Sequence, residues 1–508
     1  MIFSRGKIIS KKINSDLSVK DNNFSFKDVT VEINESGNVF ITGLRTDIGY
    51  IYLEADYSGL ENSIVLGDAW ERGYSDLGWK NADFERIMPW YFAAVKDEKV
   101  YCFGVKTMPN SFCSWQCGNG KIALTIDVRN GSDDIILNGR YIEACTIVFR
   151  EYNCDAFSAL CDFCKIMCDA PRLPKEPVFG GNDWYCNYGD NSYSKIIKHT
   201  KRIVECSPKG SKPFMVIDDG WEICHHNKDG VYYNGGPWKS CNNNFKDMKK
   251  LAAEIESLGA IPGIWFRPLW TVEKVPDEFI LKKDDIKAIL DPSSDEVLEM
   301  IKSDVQTIRE WGYRLIKHDF STFDITGKWG FEMNTFGGET HFSDKTKTTA
   351  EIIKKLYSAI REAAGDDVLV MGCNTVSHLS AGIFELQRTG DDTSGIEWER
   401  TKKYGINSLA FRMPQHNNFY YADADCVGVT NNVAWDKNKL WLDILAKSGT
   451  ALFVSIAEDA YSDDVKNDLI KAFDKAAVNT KISNPIDWLN TKLPQKWFSA
   501  FGEDEYEW

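Results

Sequence analysis

The sequence predicts an N-terminal antiparallel β-sandwich, followed by a (β/α)8 TIM barrel and a short aromatic tail at the C-terminus. Two patterns along the chain carry this prediction. Before residue 150, apolar and polar residues alternate with a period of two between turn signals. After residue 177, short apolar segments alternate with long helical segments. With 508 residues, the chain is also too long for one ordinary hydrophobic core.

Residues 1–150 have the pattern of an antiparallel sandwich. Segments such as VTVEINESGNVFITGL and KIALTIDVRNGSDDIILNG alternate in polarity and contain hairpin-type turns, Glu-Ser-Gly at 35–37 and Asn-Gly at 130–131. Many short strands at this spacing are typical of a β-sandwich. A helical linker is predicted for residues 151–176, because an amphipathic stretch there leads into the proline-rich, charged segment PRLPKEP.

Residues 177–480 are predicted to form the barrel, because about eight strand–helix units over roughly 280 residues match its usual size. A doubly wound sheet is the alternative, but no glycine-rich phosphate turn follows the first strand. Residues 481–508 are expected to form a C-terminal tail or a partial β extension. The predicted barrel strands are 178–183, 214–219, 261–267, 314–319, 368–374, 383–390, 419–425 and 451–457.

Charge and composition argue against several classes of partner. The formal net charge of −15 disfavours nucleic acid and anionic membranes as ligands. The chain has no apolar run of roughly 18 residues and no leader-like opening, so we expect neither a membrane span nor a secretory signal. The 14 cysteines show no disulfide framework, which predicts reduced thiols and a cytoplasmic protein. The oligomeric state stays open, with a homo-oligomer as one option.

Polar side chains follow nearly every predicted barrel strand, at the end where TIM barrels carry their reacting groups. An acid-rich rim with interleaved tryptophans suits a neutral sugar, because carboxylates accept hydrogen bonds from hydroxyl groups and indoles cover the ring. We predict no metal ion, since the adjacent His225 and His226 in a loop lack further ligand spacing. The rim residues are Asp183, Trp184, Asp218, Asp219, Trp221, Arg267, Lys317, His318, Asp319, Asn374, Arg388, Asp391, Asp392, Asp423 and Asp425.

Two of these carboxyl groups fit the pair that glycoside hydrolysis requires. Asp319 is the predicted nucleophile, because Lys317 points to the same side of the strand and its ammonium lowers the pKa of that carboxyl group. Asp391 is the predicted acid/base, because the like charge of the neighbouring Asp392 favours keeping one of the two protonated. Asp392 remains the alternative. His318 is expected to point the other way, into the helix layer.

The motifs DDGW (218–221), YRLIKHDF (313–320), RTGDDTSG (388–395) and ADADCV (422–427), in this order, resemble the α-galactosidases of glycoside hydrolase family 36. The resemblance implies a retaining exo-α-galactosidase that needs no metal or cofactor, with Asp319 as nucleophile and Asp391 as acid/base. The sugar contacts that it implies are Asp218, Asp219, Trp184, Trp265, Lys317 and Arg388. Further candidate contacts at the same strand ends are Trp221, Asn374 and Asp425.

Several alternatives stay open at this stage. An α-N-acetylgalactosaminidase, a raffinose- or stachyose-type α-galactosyl transferase and an inactive carbohydrate-binding barrel use similar residues. Arg267 stands where many members of the resembled family carry glutamate, and GCNTVSHLSAG (372–382) replaces their glycine-rich turn. Residues 70–79, WERGYSDLGW, form either a surface loop of the sandwich or a loop that reaches over the barrel mouth.

Overall fold

A computed structural model describes residues 2–75, 77–223, 226–228, 231–283, 287–333, 340–478 and 480–508, with only the backbone described at 226–228 and 231–233. Two antiparallel sheets form the N-terminal part, and a closed barrel of eight parallel strands follows. The predicted fold class is therefore confirmed.

The N-terminal part consists of a six-stranded and a nine-stranded antiparallel sheet. The predicted hairpin at 35–37 is present, with strand Val29–Ile33 paired to strand Asn38–Thr42. Across the smaller sheet the strands are Asp83–Pro89, Phe112–Gly118, Lys121–Asp127, Tyr50–Asp56, Arg5–Ile9 and Asn14–Asp16. Across the larger sheet they are Ser18–Lys20, Asn23–Phe26, Val29–Ile33, Asn38–Thr42, Tyr141–Tyr152, Lys99–Val105, Tyr91–Lys96, Ile64–Gly67 and Lys80–Asn81.

The Asn-Gly turn at 130–131 docks onto the barrel instead of joining two sheet strands. The backbone groups of Asn130 and Asp133 bond each other, so the turn itself is tight. The backbone N–H of Gly131 donates to Thr349 Oγ1 at 2.8 Å, and Gly131 has a φ of +61°. A Cβ atom there would lie 2.2 Å from the carbonyl oxygen of Thr340, so glycine is required by space as well as by conformation.

Helix Ala156–Met167 connects the sandwich to the barrel. Its N-cap Asp155 accepts hydrogen bonds from the backbone N–H groups of Phe157 and Ser158, which satisfies two of the free donors at the helix start. The apolar face of the helix is buried and packs against strand Lys99–Val105 of the sandwich.

Each barrel strand overlaps its predicted segment, and its residues are buried almost throughout between the lumen and the helix layer. The strands are Phe179–Asn182, Phe214–Ile217, Ile261–Phe266, Leu315–His318, Leu369–Gly372, Leu386–Arg388, Tyr421–Val429 and Ala451–Ile456. The long helices around them are Tyr193–Cys206, Met248–Ser257, Asp295–Glu310, Thr349–Ala364, Trp435–Ser448 and Asp463–Ala476.

Smaller elements decorate the barrel. The loops contain short helices at Trp184–Asn187, Ser321–Thr326, Ser377–Ser380, Trp398–Arg400 and Asn407–Arg412, and strands at His226–Lys228, Val231–Tyr233, Trp270–Thr271, Ile280–Lys283 and Ala288–Leu290. The C-terminal residues form a three-stranded sheet of Asn484–Pro485, Lys496–Ser499 and Gly502–Glu505. Among the described helices, none is long and apolar enough to cross a membrane.

A buried ion pair joins the sandwich to the barrel. Asp68, just after a sandwich strand, lies 3.0 Å from the guanidinium of Arg412, and both side chains are almost fully buried. Gln415 donates a further hydrogen bond to Asp68 at 2.9 Å. Nearby, the ring of Trp90 stacks on His378 with a centroid distance of 4.9 Å. The two parts of the chain therefore share an interface that contains a buried pair of charges.

Replacing one partner of this pair is expected to destabilise the whole protein. The change Asp68→Asn leaves the Arg412 charge buried without its counterion, which should cost ~3–5 kcal/mol of unfolding free energy. The matched control is Asp47→Asn, because Asp47 pairs with the exposed Lys12 at the surface; that change should cost less than ~1 kcal/mol. Denaturant titration of both variants measures the difference, and equal losses would contradict this role of the buried pair.

Candidate active site

Asp319 lies directly after the fourth barrel strand, and its carboxylate is held by three N–H groups. The backbone N–H groups of Phe320 and Asn374 donate to Oδ1 at 2.8 and 3.1 Å, and the indole of Trp265 donates to Oδ2 at 3.1 Å. Burial by itself raises the pKa of Asp319, but the charges of Lys317 and Arg72 and these hydrogen bonds lower the pKa overall. The carboxylate is thus ionised and fixed in orientation at the barrel mouth.

Lys317 forms its ion pair with Asp218, while its charge still lowers the pKa of Asp319 as expected. Its ammonium lies 2.7 Å from Asp218 Oδ2, and among the described residues no contact within 4.0 Å joins it to Asp319. The two side chains do share one face of the strand, but the second strand presents Asp218 closer. Burial opposes the charge of Lys317, yet Asp218 raises the pKa of that ammonium well above its usual value. Asn182 completes the cluster with a 2.7 Å hydrogen bond to Asp218.

Asp219 belongs to a second chain of polar contacts. It accepts a hydrogen bond from Asn234 at 2.9 Å, and Asn234 in turn accepts one from Arg267 at 2.6 Å. Arg267 also binds Asp324 through two nitrogen atoms, at 3.0 and 2.5 Å. The arginine that replaces the expected glutamate therefore supports Asp219 from behind.

The acid/base candidates follow the sixth strand and are surrounded by arginines. Asp391 lies 2.9 Å from Arg72 and 3.6 Å from Arg400, and its side chain is one-fifth exposed. Asp392 lies 2.9 Å from Arg388 and is more exposed. Both carboxyl groups therefore have access to the mouth, and each has a different arginine as its nearest cation.

Asp425 and Asp392 share the guanidinium of Arg388, and they differ in how well they are supported. Asp425 lies 2.7 Å from Arg388 and accepts hydrogen bonds from Tyr185 and from Thr393. Burial by itself raises the pKa of Asp425, but Arg388 and these hydrogen bonds lower the pKa overall. The pKa of Asp392 is raised, chiefly by loss of hydration and also by the negative charge of Asp425. The guanidinium of Arg388 lowers that pKa, but not enough to reverse the shift. Of these two carboxyl groups, Asp392 takes up a proton first.

The described part of the 70–79 loop reaches into the barrel mouth, which decides between the two expectations for it. The backbone N–H of Gly73 donates to Thr389 at 2.8 Å, and Gly73 accepts from the backbone N–H of Asp391 at 3.1 Å. Glu71 is fully buried and binds the side-chain amide of Asn374. Arg72, next to it, is the site residue that the sequence analysis missed. The adjacent charges of Glu71 and Arg72 within an aromatic loop were the available signal. Nothing in the neighbouring sequence indicates that Arg72 contacts Asp391.

Of two tryptophans predicted to contact the sugar, one lies beneath the mouth and the other at its rim. Trp221 is fully buried, and its indole N–H donates to the carbonyl oxygen of Trp265 at 3.0 Å. The prediction that Trp221 contacts a ligand is therefore corrected: it supports Trp265 from below. Trp184 remains partly exposed at the rim, beside the exposed ring of Tyr188.

Asn374 and Arg388 are also occupied by protein partners. The side chain of Asn374 is buried, donates to Glu71, and accepts from the backbone N–H of Phe323 at 3.0 Å. The guanidinium of Arg388 binds Asp392, Asp425 and the sulfur of Cys373. Both residues hold other groups in place, so the expectation that their side chains bind the sugar directly is not met in this geometry.

His318 points away from the mouth as expected. Its ring is fully buried between Tyr357 and Phe384, and burial lowers its pKa to about 3. The two loop histidines that were considered as metal ligands lie outside the described groups, which include neither His225 nor the side chain of His226. Among the groups that are described, no cluster of three His, Cys, Asp or Glu side chains is arranged to hold a metal ion.

Fold and site together define a TIM barrel with an acidic mouth. Arginines pair with the carboxylates of this mouth, and a loop of the N-terminal β-sandwich supplies one of them, Arg72. No known protein-family model matches the chain. Among solved structures, it is similar to the α-galactosidase TtGalA from Thermus thermophilus in complex with p-nitrophenyl α-D-galactopyranoside. The TM-score is 0.62 at 15% identity, over 94% of this chain and 97% of that one.

A second similar structure is a variant of AgaA, a family 36 α-galactosidase from Geobacillus stearothermophilus, in complex with stachyose. Here the TM-score is 0.61 at 13% identity, over 98% of this chain and 77% of that one. The galactosidase domain of the α-galactosidase–sucrose kinase AgaSK gives a TM-score of 0.59 at 14% identity, over 89% of this chain and 67% of that one. The resemblance in the sequence motifs thus extends to the fold.

The buried His318 is expected to make folding sensitive to mild acid. Because its pKa is about 3 when folded and 6.5 as the ordinary value, the unfolded chain binds one more proton between these pH values. The contribution of the neutral His318 imidazole to the free energy of unfolding is complete above pH 6.5. It is lost as the pH falls toward 3, at ~1.4 kcal/mol per pH unit. His318→Leu should reduce the slope of unfolding free energy against pH by that amount.

Urea titrations at pH 7, 6 and 5 measure this slope. The control is His341→Gln, because His341 is an exposed histidine that pairs with Asp133. A His318→Leu slope equal to that of the wild type would contradict the assignment of a neutral, buried imidazole.

Proposed function

We propose that the protein is a retaining exo-α-galactosidase that hydrolyses terminal α-linked galactose from oligosaccharides or glycoconjugates. The observation that carries the proposal is the carboxylate of Asp319, which is buried, ionised and fixed by three N–H donors at the end of the fourth strand. A carboxylate that must attack an anomeric carbon needs this combination of charge and orientation.

In the first step, Oδ of Asp319 attacks the anomeric carbon while Asp391 gives its proton to the glycosidic oxygen. The bond from carbon to the leaving oxygen breaks, and a galactosyl ester of Asp319 forms. In the second step, Asp391 takes a proton from water, whose oxygen displaces Asp319 and restores the free carboxylate. Galactose leaves with the anomeric configuration that it had in the substrate.

Asp218 and Asp219 are proposed to bind the galactose hydroxyl groups. Both carboxylates sit at the end of the second strand, and each keeps its place through an amide, Asn182 for Asp218 and Asn234 for Asp219. Lys317 balances the charge of Asp218. Carboxyl groups held in this way accept hydrogen bonds from the substrate with little loss of side-chain entropy.

Hydrolysis of galactosides is preferred over the alternatives. The unusual segment around Asn374 suggested an N-acetylgalactosaminidase, but the Asn374 side chain is fully buried, donates to Glu71 and accepts from the backbone N–H of Phe323. Transfer to a sugar acceptor uses the same galactosyl ester, so product analysis separates it from hydrolysis. We also propose a cytoplasmic location, since all cysteines within the described residues are free thiols.

Replacement of Asp319 is expected to abolish the reaction. In Asp319→Ala the nucleophile is lost, and kcat for an aryl α-galactoside should fall roughly 10⁴-fold or more. Azide, added in its place, should restore turnover and give a β-galactosyl azide, because it attacks from the face that Asp319 occupied. Wild-type assays against aryl α-galactoside, α-N-acetylgalactosaminide and α-glucoside fix the sugar. Full activity in Asp319→Ala would refute the mechanism.

Replacement of Asp391 should expose its role as proton donor. Asp391→Ala is expected to lose ~10²–10⁴-fold in kcat/KM with raffinose, whose leaving group must be protonated, and far less with an aryl galactoside of an acidic phenol. Azide should then give an α-galactosyl azide, because Asp319 still forms the ester. Asp392→Ala is the matched comparison. If Asp392→Ala shows this pattern and Asp391→Ala does not, the acid/base is Asp392.

A further inference from the structure

We propose that Arg72, which the N-terminal sandwich contributes to the barrel mouth, is a positioning residue that orients Asp391 for proton transfer to and from the leaving group. This inference rests on the proposed function, and it extends the reaction machinery from the barrel to the β domain.

The guanidinium of Arg72 makes contacts through all three of its nitrogen atoms. Nη2 lies 2.9 Å from Oδ1 of Asp391. Nη1 lies 3.6 Å from the sulfur of Cys373 and 3.8 Å from Oδ1 of Asp392. Nε donates to the hydroxyl of Tyr74 at 3.2 Å. Only 6% of the side chain is exposed, so the planar fork has one orientation available to it.

The loop around Arg72 is fixed on both sides. Gly73 pairs with the backbone of the sixth strand end through two hydrogen bonds. Glu71 accepts a 3.0 Å hydrogen bond from the backbone N–H of Gly330, and its backbone carbonyl accepts one from Ser377 at 2.9 Å. A Cβ atom at Gly330 would lie 2.4 Å from Glu71, so the packing there is close. Arg72 is therefore presented to Asp391 by a rigid support.

The contact suits a group that must both give and receive a proton. Arg72 binds Oδ1 of Asp391 and leaves Oδ2 for the proton, with Arg400 at 3.6 Å from that oxygen. When Oδ2 is protonated, Oδ1 can still accept the hydrogen bond from Arg72. When the proton has passed to the glycosidic oxygen, the same hydrogen bond becomes an ion pair. In the second step, Oδ2 takes the proton back from water, and the carboxyl group has not rotated.

A purely structural role makes a different prediction from a positioning role. If Arg72 only joins the two parts of the chain, its loss should lower the activity on every substrate by the same factor. If it orients the proton donor, the loss should depend on the leaving group, because an acidic phenol departs without protonation and a sugar alkoxide does not. The leaving-group dependence therefore separates the two roles.

The experiment compares Arg72→Gln and Arg72→Lys with raffinose and with 2,4-dinitrophenyl α-galactoside. We expect Arg72→Gln to lose ~100-fold in kcat/KM on raffinose and less than ~10-fold on the aryl galactoside. Arg72→Lys keeps the charge and should recover part of the raffinose loss. The control is Arg129→Gln, because Arg129 is an equally buried sandwich arginine that pairs with Asp127. Its loss should be the same on both substrates.

Equal losses of Arg72→Gln on the two substrates, or no loss, would overturn the inference while leaving the α-galactosidase function intact. If the wild type hydrolyses neither substrate, the proposed function fails and the catalytic role of Arg72 fails with it. The contact is also tested without activity, by the Tm values of Arg72→Gln, Asp391→Asn and the double variant. The double variant should lose less than the sum of the single losses, and additive losses would refute the contact.

Discussion

The barrel mouth depends on the pairing of charges that are removed from water. An unpaired buried charge costs several kcal/mol, so each carboxylate that serves the site requires a cation or several N–H donors nearby. Lys317 with Asp218, and Arg388 with Asp425, are the pairs that meet this requirement. Because Asp218 is the nearest partner of Lys317, the nucleophile candidate Asp319 is balanced by the more distant charges of Lys317 and Arg72 and is held in orientation by three N–H donors.

Polar residues at the strand ends divide into two groups with different tasks. Asp319 and Asp391 face the mouth, whereas Trp221 and Asn374 lie behind it and hold the residues that do. This second group determines how well the first is preorganised, because a reacting group that is displaced by about 1 Å loses much of its effect. The sandwich belongs to the supporting group through the loop that carries Arg72.

The fold and most of the rim could be predicted because their signals are local. Most barrel strands contain a short apolar run with polar residues at or just after its end, so both the strand and the position of these polar side chains follow from residues that are neighbours in the sequence. The partner of Lys317 and the burial of Trp221 could not be predicted, since they depend on which strands become neighbours. Arg72 was missed for the same reason, because its partner Asp391 is distant in sequence and no local pattern records such a contact.

The bridge between Gly73 and Gly390 has a consequence for how the protein is made. The loop that carries Arg72 leaves the ribosome early, and its barrel partners follow roughly 300 residues later, which at ~5–20 residues per second means ~15–60 s of synthesis. During that interval Arg72 lacks its barrel partners Asp391 and Cys373. The sandwich can be complete before the barrel closes, but the mouth cannot, so the site is among the last features of the chain to form.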